Sequence, residues 1–390
     1  MLVFAVICAV PPVTNYSPGG SGYGLVLAAL VVGGYVLSGH WTLPKRLGRL
    51  EVVAGLLCLW LALSTLWGDG EYIFRAVPVA MTALCAVVPW AVMRSTTSHR
   101  ADLLGWVCAG GTLGTLVAAF PMTWLFHPRL VVIRPGLPIG GASNNAVGLL
   151  ILLAGTLMMA RADSRCRAFW LALAALDVVM IAQSFSRVGW ALLLIFVVLA
   201  APRSSKWRAA ASGAAAAVLV AMGLLQYWFR GEHALTDGVR WNAASSALGT
   251  WSASVWTLMF GAGQSGVWQW MAEEVAWSSK GEPGSFLRVS DHGLNLYHAH
   301  STYLAILVEQ GVLGFSILLV VLMLVGVTAM RAANSKGRVR LVALALLLSF
   351  PAMLVELYLL RSFPSAFLWW FVVWVLIDAE AGRRKGVDGW

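Results

Sequence analysis

Charged residues are scarce in this chain of 390 residues, since only 11% of positions are Asp, Glu, Lys or Arg and 59% are hydrophobic. A soluble protein of similar size carries about 25% charged residues. Long polar stretches are equally scarce, because apolar runs near the bilayer-crossing length of about 17–25 residues recur along the sequence. The period-two alternation typical of a transmembrane β-barrel is absent. The composition therefore predicts an all-α, polytopic membrane protein.

Cysteine offers no scaffold in this sequence. Of the five cysteines, four lie in apolar runs and Cys166 lies in a short basic loop. No CxxC pair occurs, so no disulfide framework is predicted. Internal repeats, low-complexity tracts and a second soluble segment are also missing. We therefore predict a single transmembrane domain over residues 1–390.

The apolar runs, judged by length and hydropathy, predict about twelve spans. The first run is short and no basic segment precedes it, which favours a short first helix over a cleaved signal. The pair 168–185 and 188–201 is also compatible with one broken hairpin. The predicted spans are 2–13, 22–37, 50–67, 73–93, 103–126, 146–160, 168–185, 188–201, 209–229, 301–330, 341–360 and 364–378.

The positive charges are distributed unevenly about these spans. Of the 27 Lys and Arg residues, 18 fall in alternate loops and at the C-terminus. Basic loops stay in the cytoplasm, so this pattern predicts that both termini are cytoplasmic. It also accounts for the net charge of +10 without nucleic acid as a partner. The remaining nine are expected to face outward: Arg75, Arg129, Arg134, Arg187, Arg230, Arg240, Lys280, Arg288 and Arg361.

An outer surface rich in arginine has two interpretations. Guanidinium groups bind phosphate and diphosphate well, which favours an anionic, lipid-linked ligand. Arginines at helix ends also reach lipid phosphates without any specific function. For a single arginine the second interpretation is the simpler one, whereas Arg187 and Arg240 together favour a ligand.

One polar loop, 230–300, is much longer than the others and is predicted to lie on the outer side. Its stretch 250–272 is apolar but interrupted by Gly261, Gly263 and Gly266, which predicts short interfacial or re-entrant helices. The tryptophans of this loop are typical of a membrane-interface belt. Their rings would also suit stacking on sugars.

The segment Tyr297–Tyr303 closes this loop and leads into a long apolar run, so His298 and His300 lie at the mouth of a helical bundle. Histidines two residues apart do not share a face of a helix. In an extended segment they could ligate a metal together with Asp291 and His292, although this spacing is a weak signal. The alternatives are polar histidines at the interface, or a neutral imidazole that accepts a proton from a hydroxyl group.

Three further polar positions stand out. Arg187 is flanked by serines at an outer turn, and Asp177 lies about three helical turns earlier at ~1.5 Å rise per residue. Charged groups inside membranes are functional by default. Asn145 follows a loop rich in Gly and Pro, where capping of the next helix is the simpler role and lining of a ligand cavity is the alternative.

Several of these segments resemble the superfamily of O-antigen ligases and O-antigen polymerases over about residues 50–320. His298-Ala299-His300-Ser301-Thr302-Tyr303-Leu304, followed by Glu309-Gln310-Gly311-Val312-Leu313-Gly314, is similar to the signature His, small residue, His-Asn, Leu, then Glu-x-Gly with a later Gly. Three weaker matches are Ser184–Trp190, Arg240-Trp241 with Phe260–Gly263, and Gly140–Gly148 with Asn145. The chain departs from the pattern at Ser301, where the family has Asn, at Val188, where it has Gly, and at Trp241, which follows Arg240 directly.

The resemblance implies a GT-C-like helical fold whose chemistry takes place on the periplasmic face of the bacterial inner membrane. It implies that an undecaprenyl-diphosphate-linked glycan is transferred with inversion, without metal or cofactor, to a saccharide or glycolipid acceptor. The catalytic candidates are then His300 and His298. The residues expected to hold the diphosphate and stabilise its leaving charge are Arg187, Arg240 and Arg134. Supporting roles fall to Glu309 and Asn145.

Two other functions stay open. A polysaccharide or lipid transporter, or flippase, would use outward arginines together with Asp177, Glu309 and Glu356, although the two related halves common in transporters are missing. A metal-dependent GT-C transferase would carry an acidic motif in its first outer loop. That loop, 14–21, has no acid, and Asp69-Gly70-Glu71 in a later loop is the nearest substitute.

Overall fold

The computed structural model describes residues 47–68, 72–95, 100–126, 146–183, 186–201, 205–230, 238–268, 288–290, 293–295, 299–335, 337–361 and 363–384. The helices, numbered in chain order, are α1 Arg49–Ser64, α2 Tyr72–Ser95, α3 Arg100–Phe126, α4 Ala146–Ala162, α5 Arg167–Gln183, α6 Arg187–Ala200, α7 Ser205–Arg230, α8 Gly238–Ser252, α9 Val255–Phe260, α10 Thr302–Asn334, α11 Arg340–Ala352, α12 Tyr358–Arg361 and α13 Phe363–Arg384. Two short strands, β1 Arg288–Ser290 and β2 Gly293–Asn295, pair antiparallel with Val289 opposite Leu294.

Ten of the twelve predicted spans fall on described residues, and each of the ten contains a helix. The spans 2–13 and 22–37 lie outside the described residues. The sequence predicts one span over 341–360, and this prediction is wrong, because α11 ends at Ala352 and the separate α12 begins at Tyr358. Pro351 in the last turn of α11 lacks an amide donor, which favours a helix end at this point.

Among the described residues, three helical stretches are long and apolar enough to cross a membrane, namely Arg75–Arg94, Thr302–Asn334 and Ser365–Arg383. Shorter apolar helices cover Ala146–Ala162, Arg187–Ala200 and Arg340–Ala352. At this level the prediction of a helical membrane protein is supported for the described residues. The predicted total of about twelve crossings is not reached by this measure.

The main core is the apolar cluster around α4, which packs against α3, α5, α6, α11 and α13. Every residue of α4 from Ala146 to Thr156 is buried, as expected for a helix that is apolar on all sides. Small residues allow the helices to approach closely, and a Cβ on Gly155 would lie 2.3 Å from the Sγ of Cys108 on α3. The main core is therefore built from regular helices and close-packed side chains.

Asp177 of α5 lies inside this core and is fully buried. Its carboxylate accepts hydrogen bonds from the hydroxyl of Thr112 on α3 (2.8 Å) and from the hydroxyl of Thr156 on α4 (3.2 Å). Buried charged groups need such partners, and the sequence alone did not name them. The three side chains tie α3, α4 and α5 together within the main core.

One end of the bundle gathers the loops that the sequence predicts to share a side. Arg94 at the end of α2 pairs with Glu51 at the start of α1, and Arg338 before α11 pairs with Asp102 at the start of α3 (2.7 Å). We call this the basic end. The opposite end, where α1 finishes and α10 begins, carries Arg75, Arg240 and His300, and we call it the site end.

Candidate functional site

The long helix α10 is broken near its start, at Gly311. This residue has φ 69° and ψ −175°, so the carbonyls of the preceding turn lose their usual helical partners. Other segments replace those partners. The amide of Ala262 donates to the carbonyl of Val308 (3.0 Å), the amide of Gly263 donates to that of Glu309 (2.9 Å), and the indole N–H of Trp60 donates to that of Gln310 (3.1 Å).

The loop 261–268 supplies the two backbone amide donors and needs glycine where it contacts its neighbours. Gly261 has φ 77°, and a Cβ there would lie 2.3 Å from the carbonyl oxygen of Glu309. Gly263 has φ 85°, and a Cβ there would lie 2.5 Å from the Cα of Gly68. Both the left-handed backbone and the close approach exclude larger residues. Gly261 and Gly263 therefore allow the loop to fit between the break in α10 and the turn after α1.

Glu309 fastens the same loop through its side chain. It is almost completely buried, and its Oε1 accepts from the amide of Trp268 (3.0 Å) and, at 3.4 Å, from the amide of Val267. The neighbouring Gln310 donates from Nε2 to the side-chain oxygen of Gln264 (3.0 Å). Glu309 therefore orders the loop, and the supporting role in the site expected of it stays a prediction.

His300 stands directly before α10 in an unusual backbone conformation. Its φ of 52° falls in the left-handed region, which histidine enters more often than most residues but still uncommonly. The side chain is partly buried. Such outliers persist where the surroundings fix them, and they cluster at functional sites. The functional role expected of His300 stays a prediction.

The residues after His300 anchor it to the turn 353–357 between α11 and α12. Ser301 caps α10 by accepting from the amide of Leu304 (3.2 Å), and its hydroxyl donates to the carbonyl of Met353 (3.1 Å). Thr302 donates to the carbonyl of Glu356 from both its amide (2.9 Å) and its hydroxyl (2.8 Å). Ser301 thus performs a defined capping role.

A second, smaller apolar cluster lies beneath these elements. We call it the platform core. It joins α8 to the segment that holds His300, because Ala247 of α8 belongs to the cluster and Ala299 packs against it. Val308 and Leu357 also belong to it, so the adjacent residues Glu309 and Glu356 lie beside it. Its buried members are Ala247, Val267, Trp268, Ala305, Val308 and Leu357.

Arg240 lies on α8 about two turns before the platform core, and its side chain is exposed. Its positive charge acts on Glu356, which is fully buried in the turn 353–357. Among the described residues, neither carboxylate oxygen of Glu356 has a hydrogen-bond partner. Burial raises the pKa of the Glu356 carboxyl well above its usual range, and the charge of Arg240 opposes that rise.

Arg187 begins α6 at the site end, and its side chain is exposed. Ser186 caps this helix, since its hydroxyl accepts from the amide of Gly189 (3.1 Å). At the basic end Arg340, at the start of α11, donates to the carbonyl of Leu199 near the end of α6 (3.0 Å). The two packed helices are therefore antiparallel, and Arg187 shares the end of the bundle where the turn after α11 meets Ser301.

The sequence places Arg75 among the nine outward-facing cations but assigns it no individual role. Arg75 donates to the carbonyl of Thr65 (2.5 Å) and to that of Gly68. These bonds hold the turn after α1, which contacts the loop 261–268 at Gly263. Four rings lie beside this turn with centroids 4.4–6.1 Å apart, and Trp256 is 54% exposed. These rings are Trp60, Trp67, Trp256 and Phe260.

Several predicted site residues lie outside the described residues: His298, Arg134 and Asn145, together with Asp291 and His292 of the metal hypothesis and the acidic turn 69–71. Within the described ranges, no group of three His, Cys, Asp or Glu side chains is arranged to hold a metal ion. The part of the predicted site that the structure describes consists of His300, Arg187, Arg240 and Glu309.

No protein-family model matches the chain, and no curated protein sequence matches it significantly.

Proposed function

We propose that the chain is a metal-independent, inverting glycosyltransferase with a GT-C-like fold. It transfers a glycan from an undecaprenyl-diphosphate carrier to a saccharide or glycolipid acceptor. The observation that carries this proposal is the platform core, around which a strained histidine, an exposed arginine and the glycine loop meet at one end of an apolar bundle. An apolar bundle suits an isoprenoid chain, and a cationic, polar end suits its diphosphate and glycan.

The sidedness of the site follows from the charge of the opposite end. Loops rich in Lys and Arg stay in the cytoplasm, so the basic end faces inward and both termini are cytoplasmic. The site end then faces the periplasm of a bacterial inner membrane, where lipid-linked glycans are available. The exposed tryptophan beside the glycine loop fits a position at this interface.

The proposed reaction is a single displacement. The acceptor hydroxyl oxygen attacks the anomeric carbon of the donor, and its proton passes to the neutral imidazole of His300. The bond between the anomeric carbon and the diphosphate oxygen breaks, and its electron pair stays on the diphosphate. Arg240 and Arg187 stabilise the charge that grows there, a type of electrostatic help that contributes strongly to catalysis. Ligase and polymerase activities differ only in the acceptor.

Purified protein in detergent, supplied with a lipid-linked donor and a saccharide acceptor, tests this function. We expect a product of higher mass from the wild type and none from His300→Ala, while His300→Ala keeps its expression level and its binding of donor. A general base contributes about 10²–10⁴-fold to the rate. Full activity of the variant would exclude His300 as the base, and an inactive wild type with several acceptors would exclude the transferase.

The second candidate is a transporter or flippase, and the buried carboxyl of Glu356 favours it because such groups mark ion pathways in membranes. A transporter moves its lipid only where there is a membrane to cross. Lipid movement in proteoliposomes without any change of the glycan in detergent would therefore favour this candidate over the transferase.

A further inference from the structure

A groove lies at the basic end of the bundle, where the last turns of α10 and α13 meet. Its volume is about 510 Å³. One part of its wall is apolar, and another part carries two arginines, one from each helix. Because α10 begins next to His300 and ends at this groove, the groove and the site end lie at opposite ends of the helix. The lining residues are Val327, Met330, Arg331, Asn334, Ser335 and Arg383.

The two arginines of the groove share one carboxylate. Arg383 pairs with Glu380 one turn earlier on α13, and the guanidinium group of Arg331 on α10 lies 3.9 Å from the same side chain. Two positive charges and one negative charge leave a net charge of +1. Each guanidinium group has five N–H donors and both side chains are about half exposed, so donors remain for another acceptor. The pair therefore suits a group with one negative charge, such as a phosphodiester.

The carbonyls at the end of α10 would oppose an anion, but their partial negative charge is largely compensated. Ser335 donates to the carbonyl of Ala332 from its hydroxyl (2.8 Å) and from its amide (3.2 Å). Arg340 donates from Nε to the carbonyl of Ala333 (3.2 Å). Arg331 adds its positive charge to the same last turn. The end of this helix is therefore compatible with a bound anion.

An apolar stripe on α10 leads from the groove into the membrane-crossing part of the helix. Its residues are 37% to 58% exposed and follow one another at steps of three or four positions, so they share one face of the helix. The next residues on this face, Arg331 and Asn334, are exposed and polar. The face thus changes from apolar to cationic at the groove, as a phospholipid changes from acyl chain to phosphate. The members of the stripe are Val320, Met323, Val327 and Met330.

We propose that this groove binds an anionic phospholipid of the adjacent leaflet, with the phosphate on Arg331 and Arg383 and an acyl chain along the stripe. Basic pockets between transmembrane helices are suited to such headgroups. The two arginines come from different helices, so the bound phosphate joins α10 to α13. A single arginine that reaches lipid phosphates from a helix end has no such geometry. The site lies away from His300 and is independent of the proposed transfer.

Native mass spectrometry of the purified full chain in detergent, titrated with phosphatidylglycerol, tests the charged part of the site. We expect Arg331→Gln combined with Arg383→Gln to weaken binding of the most tightly held lipid by about 30-fold, because each arginine contributes about fivefold. Arg49→Gln combined with Arg165→Gln is the matched control. Both of these arginines are exposed at the basic end but do not line the groove, so the affinity should stay close to that of the wild type.

Two further probes identify the ligand. Phosphatidylcholine has no net charge, so it should bind more weakly and should not distinguish the wild type from the variant without the two groove arginines. Glycerol 3-phosphate lacks acyl chains, and at the concentration of the lipid it should not displace phosphatidylglycerol. Displacement under these conditions would identify a soluble phosphate as the ligand and overturn the proposal. Equal weakening by the two double variants would also overturn it, because a general positive surface would then attract the lipid.

Met330→Gln tests the apolar part of the site without changing a charge. Met330 is 50% exposed and lies one turn before the end of α10, whereas Leu171 is 43% exposed and lies one turn after the start of α5. We expect Met330→Gln to weaken lipid binding severalfold and Leu171→Gln to leave it unchanged. Both side chains are exposed, so this pair decides the question even if the double arginine variant fails to fold. Unchanged binding by Met330→Gln would contradict an acyl chain on the stripe.

Discussion

The main core and the platform core are both buried, but they are held together differently. The main core consists of regular helices whose apolar side chains pack closely, as along α4. The platform core is small, and around it the backbone is irregular, with left-handed residues at Gly261, Gly311 and His300. Polar contacts across about forty residues of chain, such as that between Glu309 and Trp268, hold this backbone in place. The main core therefore provides stability, and the platform core provides a specific shape.

The two cores are expected to differ most in the free energy of unfolding that is lost when a glycine is replaced by alanine. Gly311→Ala forces a side chain onto φ 69° and places its Cβ 2.3 Å from the carbonyl oxygen of Met259, so we expect a loss of about 3 kcal/mol or more in the free energy of unfolding. Gly155→Ala meets only the side chain of Cys108, which can rotate, and the replacement favours the helix. Its loss should be about 1 kcal/mol, as measured by unfolding in detergent.

Equal losses in the free energy of unfolding for Gly311→Ala and Gly155→Ala would contradict the comparison. The backbone around the platform core would then tolerate an added side chain as well as an ordinary helix contact does. Transfer activity sharpens the test. Gly311→Ala should lose activity even under conditions in which the folded fraction remains high, whereas Gly155→Ala should retain it.

Glu309→Gln comes next in size. The neutral amide retains one acceptor for the amide of Trp268 but loses the charge that strengthens the bond, so we expect a cost of about 1.5–2 kcal/mol. The loop 261–268 should become easier to cleave by protease at the same time. Unchanged proteolysis would show that the backbone bonds of Ala262 and Gly263 suffice to seat the loop.

Substitution of Ser301 offers a smaller test, with Asn as the control residue. Ser301→Ala removes the cap of α10 and the bond to Met353, which should cost about 1 kcal/mol and lower transfer more than stability, since His300 is the preceding residue. Asn is an equally good cap, so Ser301→Asn should lie within about 0.5 kcal/mol of the wild type. A stable, fully active Ser301→Ala variant would contradict the link to His300.

The smallest effect is expected for Asp177→Asn in the main core. Asn retains an acceptor for Thr112, and the hydroxyl of Thr156 already reaches the carbonyl of Leu153 (3.0 Å). We expect a change below about 1 kcal/mol and no change in transfer. A strong loss of transfer would instead connect Asp177 to the site and favour the ion pathway of a transporter.

The helices could be predicted from the sequence because each apolar run is a local signal. The break between Ala352 and Tyr358 could not, because apolar residues continue through it. Pro351 and the lone acid Glu356 were the available signals, and neither is decisive alone. Glu309 was assigned by resemblance, but its partner Trp268 lies in a different segment, and pairing between distant segments leaves no trace in one sequence. The same applies to the threonines that hold Asp177.

The pair of hydrogen bonds from Thr302 to the carbonyl of Glu356 affects how the proposed activity would respond to substitutions. Together with the bond from Ser301 to Met353, it makes the start of α10 and the turn after α11 one rigid joint. The imidazole and the enclosed acid therefore shift as a pair whenever that joint moves. Substitutions at His300 and Glu356 should consequently be non-additive in a double-mutant cycle, and evolution could retune one only by adjusting the other.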